Sequence, residues 1–239
     1  MVYQRILESQ NSRKLFALLI DPDKSDINHL LKVIQVANGC DVSMLLIGGS
    51  LVNVDIPNYI KEIKRHTKLP VVLFPGNALQ FNEKADALLL LSLISGRNPD
   101  FLIGQHVLVS RAIKNSGIEV IPTGYILIDG NNPTSVQYMS NTMPIPSTKT
   151  DIAVATAIAG EQLGLKLIYL EAGSGAKIPV PAEMIAAVKQ EIQIPLMVGG
   201  GLKSPEQVQT AWNAGADIVV VGNALENDID SLPLMTKLI

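Results

Sequence analysis

The sequence contains little cysteine and little histidine, and each shortage excludes a class of site. The single cysteine among 239 residues, Cys40, excludes an internal disulfide and a cysteine-based metal cluster. The three histidines, His29, His66 and His106, are too far apart along the chain to show metal-ligand spacing. This use of cysteine fits a reducing compartment, and we expect a cytoplasmic protein.

Aromatic residues and long apolar runs are also scarce. Aromatics make up 4% of the chain, although hydrophobic residues make up 47%. The interior must therefore be built from Leu, Ile, Val and Ala, a composition typical of buried parallel strands covered by helices. The apolar runs, such as residues 87–91, are too short to span a bilayer, and residues 1–10 lack the apolar stretch of a signal peptide.

The chain has no excess of positive charge. Its formal net charge is −3, and its lysines and arginines are scattered along the sequence. A nucleic acid backbone would find no basic surface, so we expect no nucleic acid partner. An anionic ligand must be held by local hydrogen-bond donors and by metal.

Short apolar runs suited to buried strands recur along the chain, with helix-like stretches between them. There are eight of these runs, at residues 15–20, 42–47, 71–74, 87–93, 119–127, 167–170, 195–198 and 218–221. Eight alternating units in a chain of 239 residues, close to the usual barrel length of about 250, predict a closed parallel barrel. We therefore expect an α/β protein with one domain over residues 1–239, a (β/α)8 TIM barrel.

Two connections depart from the regular pattern. Residues 75–86 are too few for a full helix with two loops, so we expect helix 3 to be shortened or replaced by a coil or strand-like segment. This is either a harmless short loop or an exposed part of the barrel wall on which an extended apolar ligand could lie. Residues 129–149 form a long irregular stretch after the fifth strand, which predicts a functional lid at the carboxyl face.

Glycine turns follow the last two predicted strands. The first is Gly199-Gly200-Gly201, and the second is Gly222-Asn223. Glycine lets backbone N–H groups approach an anion, and the following helix N-terminus favours negative charge. Tight turns alone also use glycine, but two such turns at the end of an eight-strand pattern predict a phosphate site.

Oxygen ligands follow the first two predicted strands. Asp21 ends the first strand, and Ser50 comes after Gly48-Gly49 at the end of the second. Side chains at the carboxyl ends of barrel strands project into the mouth, and such hard ligands suit Mg²⁺. We predict a metal site at Asp21 and Ser50, with a helix N-cap as the alternative for Ser50, and we expect Asp23 to act as a helix cap. The next helix-like stretch also begins with a capping signal, Asp26.

The sixth strand carries a carboxylate that packing does not explain. Alternation along the strand places Tyr169 and Glu171 on the inner face, with Leu170 outside. An ionised Glu171 could accept hydrogen bonds from a polyol or take a proton from a hydroxyl nucleophile. The turn Gly173-Ser174-Gly175 adds further N–H donors beside the other glycine turns.

Lysines suggest two other interpretations. Glu171 could form a buried ion pair with Lys203 or Lys24, which would make it a structural residue. A Schiff-base lysine should lie near the carboxyl end of a strand, whereas Lys166 begins the sixth strand and belongs to the opposite face. The position of Lys166 therefore counts against an aldolase.

Six motifs, in order from the first strand to the last, resemble the geranylgeranylglyceryl phosphate synthase family and its bacterial heptaprenylglyceryl phosphate synthase relatives. They are Leu19-Ile20-Asp21-Pro22-Asp23-Lys24, Gly48-Gly49-Ser50, Leu73-Phe74-Pro75-Gly76, Tyr169-Leu170-Glu171-Ala172-Gly173-Ser174-Gly175-Ala176, Val198-Gly199-Gly200-Gly201 and Val221-Gly222-Asn223. The sixth-strand motif is the most specific of them. Some family members carry a phosphate-binding lysine where this chain has Leu19, so that role is not carried over.

The resemblance implies an Mg²⁺-dependent prenyltransferase whose barrel lacks helix 3. The C3 hydroxyl of sn-glycerol 1-phosphate would attack C1 of a long prenyl diphosphate, with geranylgeranyl diphosphate expected, to form an ether and release diphosphate. Asp21 and Ser50 would hold Mg²⁺, and Glu171 would orient or deprotonate the hydroxyl. The residues that would bind glycerol 1-phosphate are Tyr169, Leu170, Glu171, Ala172, Gly173, Ser174, Gly175, Gly200, Gly201, Gly222 and Asn223.

The resemblance also implies a homo-oligomer that works in ether phospholipid synthesis, and it leaves open a peripheral contact with the membrane that receives the lipid. Two other functions share the phosphate-binding turns: a phosphosugar isomerase or lyase, and a non-catalytic phosphometabolite sensor. The turns cannot discriminate between these functions. Asp21, Ser50 and the short third connection favour the transferase.

Overall fold

Eight parallel strands close into a barrel in the computed structural model, which describes residues 1–10, 12–24 and 26–237. Each strand pairs with the next one along the chain, and the last pairs with the first. The strands are β1 (Leu15–Ile20), β2 (Met44–Ile47), β3 (Val71–Leu73), β4 (Ala87–Leu93), β5 (Glu119–Leu127), β6 (Leu167–Glu171), β7 (Leu196–Gly199) and β8 (Ile218–Val221). The predicted TIM barrel is confirmed.

Helices surround this barrel and close its amino end. They are α1 (Val2–Ser9), α2 (Ile27–Asn38), α3 (Ile56–His66), α4 (Gln105–Ser116), α5 (Ser135–Ser140), α6 (Thr150–Gln162), α7 (Ala182–Glu191), α8 (Pro205–Asn213), α9 (Asn223–Asn227) and α10 (Leu232–Thr236). Among the described residues, none of the helices combines the length and the apolar character needed to cross a membrane.

The core has two layers because successive side chains of a strand point to opposite faces. Ala17, Leu46 and Tyr169 belong to the group of buried residues that fills the barrel interior. Leu18 and Leu170 belong to the group that packs between the barrel and the helices. Position in this alternation therefore decides which residues of β6 can face the mouth.

The connection between β3 and β4 contains no α-helix. It holds one short 3-10 turn, Ala78–Gln80, and the Asn77 side chain accepts a hydrogen bond from the Leu79 N–H at 2.9 Å. The Leu79 side chain is 94% exposed, so nothing in the described structure covers this part of the wall. The prediction that the helix between the third and fourth strands is shortened or replaced is therefore confirmed.

Helix α1 closes the amino end of the barrel. Val2 and Ile6 are buried among the residues of the barrel interior. The backbone N–H groups of Val2 and Tyr3 donate to the carboxylate of Glu119, the first residue of β5. A carboxylate at a helix N-terminus is electrostatically favourable, which holds α1 across this end.

The start of α2 confirms the capping signal at Asp26 but not the one at Asp23. Its N-cap is Asp26, whose side chain accepts a hydrogen bond from the His29 N–H at 2.8 Å. The prediction that Asp23 caps this helix is wrong. The Asp23 carboxylate accepts hydrogen bonds from the N–H groups of Asn53 and Val54, at 3.0 and 3.2 Å, and so joins the loop after β1 to the loop after β2.

Candidate active site

A cavity of about 1080 Å³ opens at the carboxyl ends of the strands. Most of the predicted site residues line it: Asp21, Ser50, Tyr169, Glu171, Gly173, Ser174, Gly175, Gly200, Gly201, Gly222 and Asn223. Leu170 and Ala172 do not line the cavity, because their side chains pack outward against the helices. Any contact of these two residues with a ligand would have to use their backbone.

Glu171 is a buried carboxylate at the end of β6, with only 6% of its surface exposed. One of its oxygens, Oε1, accepts a hydrogen bond from the Gly173 N–H at 2.7 Å. Burial raises the pKa of Glu171, and the neighbouring Tyr169 hydroxyl and the Gly173 N–H partly offset that rise. A carboxylate with a raised pKa is a better base than an exposed one.

Among the residues that the structure describes, Glu171 does not form the structural ion pair that was the alternative interpretation. Lys24 pairs with Asp21 and Glu226, and no lysine lies within salt-bridge distance of Glu171. Glu171 therefore remains available to a ligand. Lys166 lies at the amino end of the barrel, as expected, with its ammonium group 5.6 Å from the centre of the Tyr3 ring.

The glycine turns after β6 and β7 pack against each other. Gly173, Gly200 and Gly201 all adopt positive φ values, of 94°, 80° and 72°. A Cβ atom at Gly200 would lie 2.3 Å from Oε1 of Glu171 and 2.6 Å from the Gly173 nitrogen. Only glycine fits there, because the conformation and the space both exclude a side chain.

Three turns bring hydrogen-bond donors to the same side of the mouth. In the part of the chain that the structure describes, no protein group accepts a hydrogen bond from the N–H groups of Gly200, Gly201 or Gly222. The Ser174 hydroxyl donates to Oδ1 of Asn223 at 2.9 Å, which joins the turn after β6 to the turn after β8. Glycine turns with such N–H groups are typical of a phosphate cradle.

The opposite side of the mouth carries charged side chains. The Asp21 side chain is 19% exposed, and its Oδ2 lies 3.5 Å from the Lys24 ammonium nitrogen. The same ammonium group lies 3.2 Å from the carboxylate of Glu226, which follows β8. Neither Lys24 nor Glu226 was predicted as a site residue, although Lys24 lies within the first-strand motif.

The loop after β2 packs directly on Asp21. A Cβ atom at Gly49 would lie 3.2 Å from Oδ2 of Asp21, and the next residue, Ser50, lines the cavity. Ser50 is not a helix cap, because the N-cap of α3 is Asp55. Asp21 and Ser50 therefore lie beside each other on the cavity wall, as the sequence predicted.

These oxygen groups fit Mg²⁺ better than a metal held by protein alone. Among the described residues, no three His, Cys, Asp or Glu side chains converge on one point. Mg²⁺ commonly uses one or two carboxylates and takes its other ligands from water and substrate phosphates. Asp21, with Ser50 on the adjacent loop, fits that pattern.

The Tyr59 hydroxyl, which the sequence did not mark, is a buried polar group in this region. It has no hydrogen-bond partner among the described residues. Burial raises the pKa of Tyr59, and the negative charge of Asp21 raises it further. A tyrosine on an amphipathic helix such as α3 gives no sequence signal of this kind.

The remaining part of the cavity is apolar. It runs from the mouth toward β4, α4 and α5, and its lining includes Leu88, Leu90, Leu91, Leu93, Phe101, Val109, Val136 and Met139. Phe74, Tyr125 and Tyr169 form a ring cluster between this region and Glu171, with centroids 5.4 to 6.2 Å apart. We call this region the apolar groove. The connection between β3 and β4, which has no α-helix, forms part of its rim.

The predicted lid, residues 129–149, rests on the turn after β6. A Cβ atom at Gly173 would lie 2.4 Å from Cγ2 of Thr134, and the Thr134 side chain caps α5. The N–H of Lys177 donates to the carbonyl oxygen of Gly130 at 3.0 Å. The segment contains the short helix α5, which its irregular composition did not reveal.

Known proteins resemble this chain over nearly its whole length. A family model described as the PcrB family matches residues 5–237. The geranylgeranylglyceryl phosphate synthase of Spirosoma linguale is 50% identical over 230 residues, which cover 96% of this chain and 92% of that protein. The enzyme of the same name from Pyrococcus abyssi is 39% identical over 222 residues, with 92% and 87% covered.

Solved structures agree with these relatives. The crystal structure of (S)-3-O-geranylgeranylglyceryl phosphate synthase from Thermoplasma acidophilum, in complex with its substrate sn-glycerol-1-phosphate, aligns with a TM-score of 0.95 at 29% identity. The alignment covers 100% of this chain and 98% of that one. The tryptophan synthase α subunit of Legionella pneumophila, at 16% identity and a TM-score of 0.60, shares the fold alone.

Proposed function

The chain belongs to the PcrB family, and from that membership we propose that it joins sn-glycerol 1-phosphate to a long prenyl diphosphate with the help of Mg²⁺. The relatives bear out the expectation of a geranylgeranylglyceryl phosphate synthase-type prenyltransferase. The single observation that carries the proposal is that one cavity joins a phosphate cradle, a buried carboxylate, a partly exposed carboxylate and an apolar groove. Each of these parts matches one part of the two substrates.

The acceptor fits the side formed by β6, β7 and β8. Its phosphate would receive hydrogen bonds from the N–H groups of Gly200, Gly201 and Gly222. Its glycerol hydroxyls would then reach Glu171, the buried carboxylate at the end of β6. The T. acidophilum enzyme, whose structure contains sn-glycerol-1-phosphate, supports this compound as the acceptor.

The donor fits the other side of the mouth. Its diphosphate would lie beside Asp21, Lys24 and Ser50, and its apolar chain would extend along the groove toward α4. Mg²⁺ bound at Asp21 and Ser50 would neutralise charge on the leaving diphosphate. We expect a geranylgeranyl chain, as in the name of the relatives.

The reaction would form one bond and break one. The C3 hydroxyl oxygen of the acceptor bonds to C1 of the prenyl chain, the bond between C1 and the diphosphate oxygen breaks, and the hydroxyl proton passes to Glu171. The raised pKa of Glu171 suits a proton acceptor, and the fixed turns hold the hydroxyl in line. The buried position of Glu171 keeps bulk water away from this proton transfer.

A phosphosugar isomerase or lyase is the second candidate, since it would use the same glycine turns. Such an enzyme has no need of a long apolar groove, so the groove favours the transferase. The homo-oligomer, the cytoplasmic location and the peripheral membrane contact stay predictions from the sequence.

Diphosphate release tests the proposal. The protein is mixed with Mg²⁺, sn-glycerol 1-phosphate and prenyl diphosphates of several lengths, and sn-glycerol 3-phosphate serves as the control acceptor. We expect release that requires both Mg²⁺ and the 1-phosphate isomer, with the highest rate for one chain length. If glycerol 1-phosphate binds but no chain length gives release, the transferase assignment is wrong.

A further inference from the structure

We propose that Gln80, on the short turn between β3 and β4, is a positioning residue for the donor side of the active site. This inference rests on the proposed function, because it takes Asp21 and Ser50 as the place of the diphosphate. The Gln80 side chain is only 3% exposed and does not line the cavity. It therefore acts through the loops that it contacts and not on a substrate.

The side-chain amide of Gln80 links two loops. Its Nε2 donates to the carbonyl oxygen of Gly49 at 2.8 Å, and its Oε1 accepts from the N–H of Gly76 at 3.1 Å. Gly49 belongs to the loop after β2, and Gly76 to the loop after β3. Of the side chains of this size, an amide offers both a donor and an acceptor, so Gln80 satisfies both backbone groups at once.

The two loops lie too close for any side chain between them. A Cβ atom at Gly76 would lie 2.4 Å from the Gly49 oxygen and 2.8 Å from Cα of Ser50. A Cβ atom at Gly48 would lie 1.9 Å from the Phe74 oxygen. The glycines permit this contact, and the hydrogen bonds of Gln80 hold it.

The link extends to the charged side of the mouth. Gly49 packs on the Asp21 carboxylate, and Ser50 is the next residue along the chain. On the other side, the N–H of Ala78 donates to Oε1 of Gln105, the first residue of α4, at 2.8 Å. One short turn thus connects the wall of the apolar groove with the loop that carries Ser50.

Substitution of Gln80 separates positioning of the donor from general stability. In Gln80→Leu, we expect calorimetry with Mg²⁺ and prenyl diphosphate to show a loss of donor affinity of about 10- to 100-fold. Glycerol 1-phosphate affinity should stay within about twofold, because its cradle lies across the cavity. The matched control is Leu79→Gln, which changes the exposed neighbour on the same turn and should change neither affinity.

Amide hydrogen exchange gives a readout that needs no catalysis. In Gln80→Leu, peptides that cover residues 46–52 and 74–81 should exchange faster than in the wild type, while peptides over residues 170–176 and 198–202 should not change. In Gln80→Glu, which keeps the acceptor and loses the donor, the peptide with Gly49 should change most. This variant also serves as the test if Gln80→Leu does not fold.

Two results would overturn the inference: unchanged exchange in both loops, or an equal loss of affinity for both substrates. A wild-type protein that binds glycerol 1-phosphate but no prenyl diphosphate would instead overturn the proposed function. In that case the exchange experiment still decides whether Gln80 joins the loops.

Discussion

The two sides of the active-site mouth are built from different chemical groups. The acceptor side, from the turns after β6, β7 and β8, presents backbone N–H groups and the buried carboxylate of Glu171. The donor side, from the loops after β1 and β2, presents charged side chains that water reaches. Of these, Asp21 is 19% exposed and Lys24 is 41% exposed.

Under the proposed function, this difference gives the two sides different kinds of selectivity. Backbone donors do not titrate, and close contacts restrict the glycine turns, so we expect the acceptor side to recognise the shape of one phosphate. The donor side must break contacts such as that between Lys24 and Asp21 to admit a metal or a diphosphate. Its interactions are more sensitive to salt, because screening is strongest for exposed charges.

The largest effect should come from Asp21 on the donor side. In Asp21→Ala we expect diphosphate release with Mg²⁺ to fall by at least about 10³-fold, since metal stabilisation of the leaving group is worth several kcal/mol. Asp23→Ala is the control, because that carboxylate binds the backbone of Asn53 and Val54. Equal losses in the two variants would show that Asp21 has no special role.

Glu171→Gln should affect the acceptor side and spare the donor side. We expect the turnover rate to fall by about 10²-fold or more, because the amide cannot take the hydroxyl proton. Binding of prenyl diphosphate, measured by calorimetry, should not change. If donor binding were lost as well, the division of the mouth into two sides would be incorrect.

Gly200→Ala tests whether the acceptor side depends on the shape of the backbone. The added Cβ atom would collide with Glu171 and with the turn after β6, and the left-handed conformation would add about 1–2 kcal/mol of strain. We expect the KM for glycerol 1-phosphate to rise at least about tenfold, with an unchanged KM for the donor.

Gly164→Ala is the matched control for this substitution. Gly164 has a positive φ of 86°, but a Cβ atom there would meet no atom within 4 Å. The variant bears the strain without the collision, so it should lose stability and keep its KM for both substrates. A similar rise in KM in both variants would indicate that strain alone weakens acceptor binding.

The smallest effect concerns stability and pH in the ligand-free protein. Burial raises the pKa of Glu171 above its ordinary value of 4.5, so the folded state binds the proton more tightly than the unfolded state. Its stabilising contribution is therefore full at low pH and is lost as the pH rises through the raised pKa. Thermal melts of Glu171→Gln and wild type should nearly coincide at about pH 4 and diverge by about pH 8, with the variant the more stable. A constant difference would contradict this expectation.

The sequence was most informative where local pattern and fold agree. The runs at residues 15–20, 87–93, 119–127 and 218–221 match the bounds of their strands, because short apolar runs bounded by turns have few other structures open to them. The inward position of Tyr169 followed from alternation along the strand. The short third connection followed from length alone.

The parts that the sequence did not reveal depend on contacts between distant segments. Asp23 looked like a helix cap because it lies near a helix start, yet its partners are Asn53 and Val54 in another loop. Gln80 has no local signal, since its two partners belong to different loops. Lys24 and Glu226 meet only because β1 and β8 are neighbours in the closed barrel.

The closure of the amino end by α1 has a consequence for the order in which substrates bind and products leave. The barrel interior is filled by side chains, and Val2 and Ile6 close it below, so two substrates and two products share the opening at the carboxyl ends. Under the proposed function, the acceptor binds beside the buried carboxylate of Glu171, and we expect it to enter before the donor. The lipid product must then leave before another acceptor can arrive. The shared opening would therefore set the order of substrate binding and product release.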